Sequence, residues 1–237
     1  MTPPIINHRS LADGADGASG STIVVDTFRA FSTAAYLVGR GVDHIVLAET
    51  LDEARTRAQT IADAILCGEE RGRRPDDFEL GNSPVEVGAF PDLVGRTVVM
   101  RTSAGTRTVL RALQSGSDPV YAASLVVAGA TASADRRSPR VTIIASGLGG
   151  ASIADEDEET ADLIADRILG RADDPHRIKR VRCGGGATRL RSTPWIDPED
   201  LERCLEVDRF SFALRAGFED GIRNLRAVRG PESGLNV

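Results

Sequence analysis

Aromatic residues make up only 4% of this 237-residue chain, with one Trp and two Tyr. Its core must therefore be built from Val, Ile, Leu and Ala, within a hydrophobic share of 41%. Lysine is nearly missing: Lys179 stands alone among 29 basic residues, and the rest are Arg. That bias fits a GC-rich genome and says little about function. A net charge of −6 leaves no basic field over the molecule, which argues against nucleic acid as a partner. Cys67, Cys183 and Cys204 form an odd count without metal-ligand spacing, so reduced thiols in a cytoplasmic setting are the simplest reading. His8, His44 and His176 are scattered and suggest neither a zinc site nor a charge-relay pair. No apolar run approaches the roughly 20 residues of a membrane helix, and the N-terminus lacks the basic and apolar regions of a signal peptide. The expectation is a soluble cytoplasmic protein with no membrane partner.

What the chain does have is a set of short apolar runs, each ending on a polar residue. They read Ile23-Val24-Val25 into Asp26, Ile45-Val46-Leu47-Ala48 into Glu49, and Val98-Val99-Met100-Arg101 into Thr102. Val120-Tyr121-Ala122-Ala123 leads into Ser124, and Val141-Thr142-Ile143-Ile144-Ala145 into Ser146, with Ala64-Ile65-Leu66-Cys67-Gly68 into Glu69 as a candidate sixth. Runs of this length, bounded by turn residues, fit strands buried on both faces of a parallel sheet. In open α/β sheets the ligand sits beyond the carboxyl ends of the strands. The terminal polar residues then converge, and they suit phosphate and a divalent cation better than a nucleophilic triad.

Helical patterns alternate with these runs. Helices are expected from about Ser32 to Gly39 or Gly41, over 106–114, over 126–134 and over 157–169. Thr50-Leu51-Asp52-Glu53 is a capping box, followed by apolar residues at helical spacing. The whole reads as a layered α/β/α fold with a mainly parallel sheet, as one domain or two closely packed lobes. Residues 1–20 are expected to be a flexible N-terminal segment and 21–170 the core. Residues 70–92 read as a long loop. Residues 171–237 read as a loop followed by a helical segment, about 198–229, packed on the sheet or on a partner subunit.

Four clusters carry possible chemistry. Asp26-Thr27-Phe28-Arg29-Ala30-Phe31-Ser32-Thr33 offers a carboxylate for a hard cation, a guanidinium fork for an anion, and hydroxyls at a helix start. Gly68-Glu69-Glu70-Arg71 leads to Gly81-Asn82-Ser83-Pro84, a defined turn with uncharged donors. Arg101-Thr102-Ser103-Ala104-Gly105-Thr106-Arg107 is a hydroxyl-rich loop that could form an anion-binding nest, and it lacks the Lys of a Walker A loop. Glu156-Asp157 stands at a helix start, where the helix dipole favours carboxylates whatever they do. Gly147-Leu148-Gly149-Gly150 is only loosely like a dinucleotide fingerprint, and the acids after it would repel a pyrophosphate.

Taken in order, these motifs resemble the 2-phosphosulfolactate phosphatase family. Its pattern runs Asp-x-x-Arg-Ala-x-Ser-Thr, Gly-Glu-Arg, Phe-Asp-Leu-Gly-Asn-Ser-Pro, Thr-Thr-Asn-Gly-Thr-Arg, Ser-Phe-x-Asn and Glu-Asp-x-x-Cys-Ala-Gly. This chain matches at Asp26, Arg29, Ala30, Ser32, Thr33, Gly68, Glu69, Phe78 and Leu80 to Pro84. It matches again at Thr102, Gly105, Thr106, Arg107, Ser124, Glu156, Asp157 and Ala161. It departs at Glu70, unless Arg71 takes that place, and at Glu79, Ser103, Ala104, Val127, Thr160 and Asp162. Ala104 and Val127 stand where the family has Asn.

The resemblance implies a Mg²⁺-dependent phosphatase of a small anionic phosphate ester, most simply 2-phosphosulfolactate, within coenzyme M biosynthesis. Asp26 and Asp157, with Glu69 or Glu156, would hold the metal. Arg29 and Arg107 would neutralise the phosphate, sulfonate and carboxylate. Ser32, Thr33, Asn82, Ser83, Thr102, Ser103, Gly105, Thr106 and Ser124 would position the substrate. No activated nucleophile stands out, which favours water as the attacking group. The two lost amides favour an alternative: a catalytically impaired or substrate-diverged member that binds an anionic metabolite. The family and the apolar tail also suggest a homodimer.

Overall fold

The computed structural model describes residues 3–219 and 221–228. All six apolar runs are strands. They form β2 (Ser21–Val25), β3 (His44–Leu47), β4 (Ile65–Gly68), β5 (Thr97–Arg101), β6 (Val120–Ala123) and β7 (Arg140–Ala145). Among the described residues they share one nine-stranded sheet with β1 (Ile5–Ser10), β8 (Ala213–Glu219) and β9 (Ile222–Val228). The order is β1-β7-β2-β6-β8-β9-β3-β5-β4. Two parallel blocks, β1-β7-β2-β6 and β3-β5-β4, flank the β8–β9 hairpin, which runs antiparallel to its neighbour in each block. The hairpin makes one continuous sheet out of what could otherwise be two lobes.

Successive strand residues point to opposite faces. Val24, Val98 and Ile144 pack with Phe31, Leu37, Val109 and Leu110 on one side. Ile23, Val25 and Ile143 pack with Ala161, Ile164, Leu190 and Leu201 on the other. The first layer holds α1 (Ala30–Gly39), α3 (Pro84–Ala89) and α4 (Gly105–Gln114). The second holds α5 (Ala128–Asp135), α6 (Asp155–Ile168), α7 (Arg177–Cys183), α8 (Gly185–Ser192) and α9 (Glu199–Cys204). Near β5, α2 (Leu51–Thr60) starts as its capping box predicts: Thr50 Oγ1 accepts the Glu53 N–H at 3.1 Å. None of the described helices is long and apolar enough to cross a membrane.

Three expectations are corrected. Residues 5–10 of the supposedly flexible N-terminal segment form edge strand β1, paired in parallel with β7. Backbone hydrogen bonds recruit it, and its apolar content is only Ile5 and Ile6. The expected loops at 70–92 and 171–198 contain α3, α7 and α8. The largest correction is the tail, where 213–219 and 222–228 are strands. Phe210, Phe212, Leu214 and Phe218 lie at even spacing, the strand period, and Asp220-Gly221 is a hairpin signal. Residues 1, 2, 220 and 229–237, parts of the terminal segments and of the expected helix, lie outside the described residues.

Candidate active site

Beyond the carboxyl ends of β2, β4, β5 and β7 lies a cavity of about 580 Å³. One part of its wall is acidic. Asp26 follows β2, where its Oδ2 accepts the Gly105 N–H at 2.9 Å and its Oδ1 the Ala30 N–H at 3.3 Å. The starts of α4 and α1 are therefore both turned onto this carboxylate. Gly105 is required there, since a Cβ would lie 2.8 Å from Asp26 Oδ2. Burial, opposed by those two N–H groups and reinforced by the charge of Glu69, raises the Asp26 pKa to about 6.

Asp157 stands in the first turn of α6. Its Oδ1 accepts the Thr27 N–H at 2.7 Å and its Oδ2 the Gly147 N–H at 2.9 Å. Burial, then the charges of Asp26 and Glu156, push its pKa well above the usual carboxylate range. Glu156 is buried too, and burial and the neighbouring Asp155 raise it to about 8. Its Oε1 is 3.4 Å from Arg189 Nη2, while its Oε2 is buried without a partner. Beneath these acids the Thr27 hydroxyl donates to Thr160 Oγ1 at 2.9 Å, and Thr160 donates to the Glu156 carbonyl at 2.7 Å.

Glu69 does different work. Its Oε1 accepts the Ser103 N–H at 2.5 Å, and its Oε2 accepts the Gly72 N–H at 2.6 Å and the Ser103 hydroxyl at 3.1 Å. It binds the loop after β5 to the turn at 70–73. The expected anion nest is thereby filled from within: the Ser103 and Gly105 N–H groups serve Glu69 and Asp26, and Thr102 and Thr106 cap each other.

Five guanidinium groups line the cavity: Arg29, Arg71, Arg101, Arg107 and Arg189. Arg29 pairs with Asp200 at 2.7 Å, and Arg101 Nη1 donates to the Glu69 carbonyl at 2.6 Å. Arg71 and Arg107 have no ion-pair partner among the described residues, which leaves both for a ligand. Trp195 completes the rim, donating its indole N–H to the Gly72 carbonyl at 3.0 Å while the Arg73 guanidinium stacks on its ring at 4.0 Å.

Of the residues expected from the sequence, Asp26, Arg29, Glu69, Asn82, Thr102, Ser103, Arg107, Glu156 and Asp157 line this cavity. Ser32, Thr33, Ser83, Gly105, Thr106 and Ser124 are buried outside its lining. Ser32 donates to the Thr27 carbonyl and Ser83 to Asp200. Sequence reasoning assigned no role to Arg101, Arg189, Trp195 or Asp200. Arg101 was visible as the strand-end residue before Thr102, but Arg189, Trp195 and Asp200 come from a segment without a recognisable pattern. Of the two lost amides, Ala104 lines the cavity, whereas Val127 is fully buried in the core.

No three His, Cys, Asp or Glu side chains form a ready-made metal cage among the described residues. The donor chemistry nevertheless suits a hard cation. Asp26, Asp157 and Glu156 supply oxygens, Glu156 Oε2 lacks a partner, and Mg²⁺ needs only one or two carboxylates because it keeps several waters.

A model of the 2-phosphosulpholactate phosphatase family matches residues 10–181. The chain belongs to this family. Its sequence is 36% identical over 171 residues to a "Probable 2-phosphosulfolactate phosphatase" of Deinococcus radiodurans, covering 69% of this chain and 70% of the relative. A protein of the same name from Bacillus subtilis is 27% identical over 230 residues, covering 94% of this chain and 96% of the relative. Family membership places the chain among the phosphoric monoester hydrolases. The matched span holds every acidic residue of the cavity wall. Arg189, Trp195 and Asp200 lie beyond it.

Proposed function

We propose that the protein hydrolyses 2-phosphosulfolactate to 3-sulfolactate and phosphate, with Mg²⁺ held by Asp26, Asp157 and Glu156. The observation carrying this reading is the pairing, in one cavity of a chain from this family, of four buried acids with five arginines. A substrate bearing a phosphate, a sulfonate and a carboxylate needs more than one guanidinium. Arg71 and Arg107 are the least committed to protein partners, so they take the two anionic groups that do not react. Arg29 and Asn82 orient the phosphate, while Ser103 spends both its donors on Glu69. Water attacks phosphorus, the bond to the ester oxygen breaks, and that oxygen leaves with a proton as the alcohol of 3-sulfolactate. Bound at the acids, Mg²⁺ would supply charge that polarises the phosphoryl group. Glu69 accepts three donors and organises the two loops, whereas Asp26 and Asp157 accept two each and keep more lone pairs for the ion.

The test is phosphate release from 2-phosphosulfolactate with and without Mg²⁺, in the wild type and in Asp26→Ala. Metal-dependent release that the substitution abolishes supports the reading. Ala104 favours a second one, a family member diverged in substrate. In that case Mg²⁺ raises the melting temperature, 2-phosphosulfolactate is inert, and another small acidic phosphate ester is cleaved. A homodimer belongs to the same proposal and is checked by sedimentation.

A further inference from the structure

Asp200 lies in α9, beyond the span that the family model matches, and its side chain is fully buried. Its Oδ2 accepts Arg29 Nη1–H at 2.7 Å. Its Oδ1 accepts the Ser83 hydroxyl at 2.6 Å and the Val85 N–H at 3.1 Å. One carboxylate thus joins the loop after β2 to the turn before α3. Those two loops carry Arg29 and Asn82, both of which line the cavity. Both keep unused hydrogen-bonding capacity. The other donors of Arg29 have no partner among the described residues; the Asn82 amide, whose Oδ1 is buried without a partner, meets an anion through its N–H₂ group.

Burying a carboxylate is unfavourable unless a counter-charge and hydrogen bonds offset it, and a well-packed apolar residue often serves stability equally well. A buried ion pair at the edge of a binding cavity therefore calls for a reason other than stability. Orientation supplies one. A free arginine fork must be ordered when an anion binds, whereas a fork already held by one nitrogen loses less conformational entropy. The remaining guanidinium donors then meet an anion in a fixed plane.

We propose that Asp200 is a positioning residue, which holds Arg29 and the Asn82 turn in register so that guanidinium and amide close on the same anionic group. The inference rests on the phosphatase reading in taking that group to be phosphate. Ser83 belongs to the same unit: it links Asp200 to the turn and does not touch the ligand.

The probe is inorganic phosphate, titrated calorimetrically into the full chain with Mg²⁺ present. Thermal denaturation and the ¹⁵N–¹H signal of Arg29 Nε are followed alongside. Asp200→Asn sets an amide N–H against either Arg29 or the Val85 N–H. Phosphate affinity should then fall at least about tenfold, and the Arg29 Nε signal should change. Arg29→Ala should weaken binding far less in the Asp200→Asn background than alone, because the two residues act as a unit. If Asp200→Asn does not fold, Ser83→Ala replaces it. That variant keeps the Arg29 and Val85 contacts, and its affinity should fall about two- to fivefold. A folded Asp200→Asn or Ser83→Ala that binds phosphate like the wild type overturns the positioning role. So do Asp200→Asn and Arg29→Ala effects that simply multiply. Wild-type protein that binds no phosphate, with Arg29→Ala changing nothing, overturns the phosphatase reading and takes this inference with it.

Discussion

The backbone N–H of Thr27 donates to Asp157 Oδ1 at 2.7 Å, joining the residue after Asp26 to the first turn of α6. Two acidic groups 131 positions apart are thereby brought together, one at the end of β2 and one in the first turn of α6. Backbone N–H groups partner both of them; the charges of Asp26 and Glu156 raise the proton affinity of Asp157, and that of Glu69 raises Asp26. The acidic wall is therefore stable when protonated and strained when ionised, unless a cation arrives.

Metal-free protein should lose stability as pH rises. The folded-state pKa values of Asp26 and Glu156, about 6 and about 8, lie above their ordinary 3.8 and 4.5. The folded state then binds more protons than the unfolded state between these values, so unfolding free energy falls with pH. This contribution is complete below the ordinary values and is lost as pH climbs through about 6 and about 8. Melting temperatures measured in chelator from pH 5 to pH 8.5 should decline, and Glu156→Gln should flatten the upper part of that decline.

Added Mg²⁺ should raise the melting temperature more at pH 8 than at pH 6, because protons compete for the same oxygens. Asp26→Ala should remove the difference. A metal effect that is equal at both pH values would place the ion elsewhere.

Gly186 should not tolerate a side chain. Its Cβ would overlap the Glu156 carboxylate, whereas one at Gly185 would find only Asp155 Oδ2, at 3.9 Å. Gly186→Ala should lower stability by about 1–3 kcal/mol and reduce kcat by at least about tenfold, a loss of roughly 1.4 kcal/mol of transition-state stabilisation. Gly185→Ala serves as the control and should behave like the wild type in both assays.

Restoring the family's amides should have opposite outcomes at the two positions. Val127→Asn buries an amide among apolar side chains and should destabilise the fold by about 1–3 kcal/mol. Ala104→Asn adds an amide to the cavity wall and should raise kcat/KM for 2-phosphosulfolactate with little change in melting temperature. If activity with that ester falls instead, Ala104 marks a different substrate.

Much of the site was legible because strand-end chemistry is local. Short apolar runs closing on Asp26, Glu69 and Thr102 identify both the strands and the sheet edge where the cavity lies. Glu156-Asp157 was legible as a motif but ambiguous by physics, since acids suit any helix start. The hydroxyl residues misled for a related reason. Sequence cannot separate a Ser or Thr that faces a ligand from one that braces a loop, and Ser32, Ser83 and Thr106 are braces.

The sequence by itself determined the parallel strands, the layered architecture and the acidic residues of the cavity, because each follows from neighbours within one run or one helical turn. Only the tertiary structure decided the rest. It put the β8–β9 hairpin between two parallel blocks, brought Trp195 and Asp200 from the C-terminal segment onto loops more than 100 positions away, and set Arg189 against Glu156. It also turned the Ser103 and Gly105 N–H groups onto Glu69 and Asp26. Pairings of that kind depend on which surfaces meet once the core has formed, and no local pattern in the chain records them.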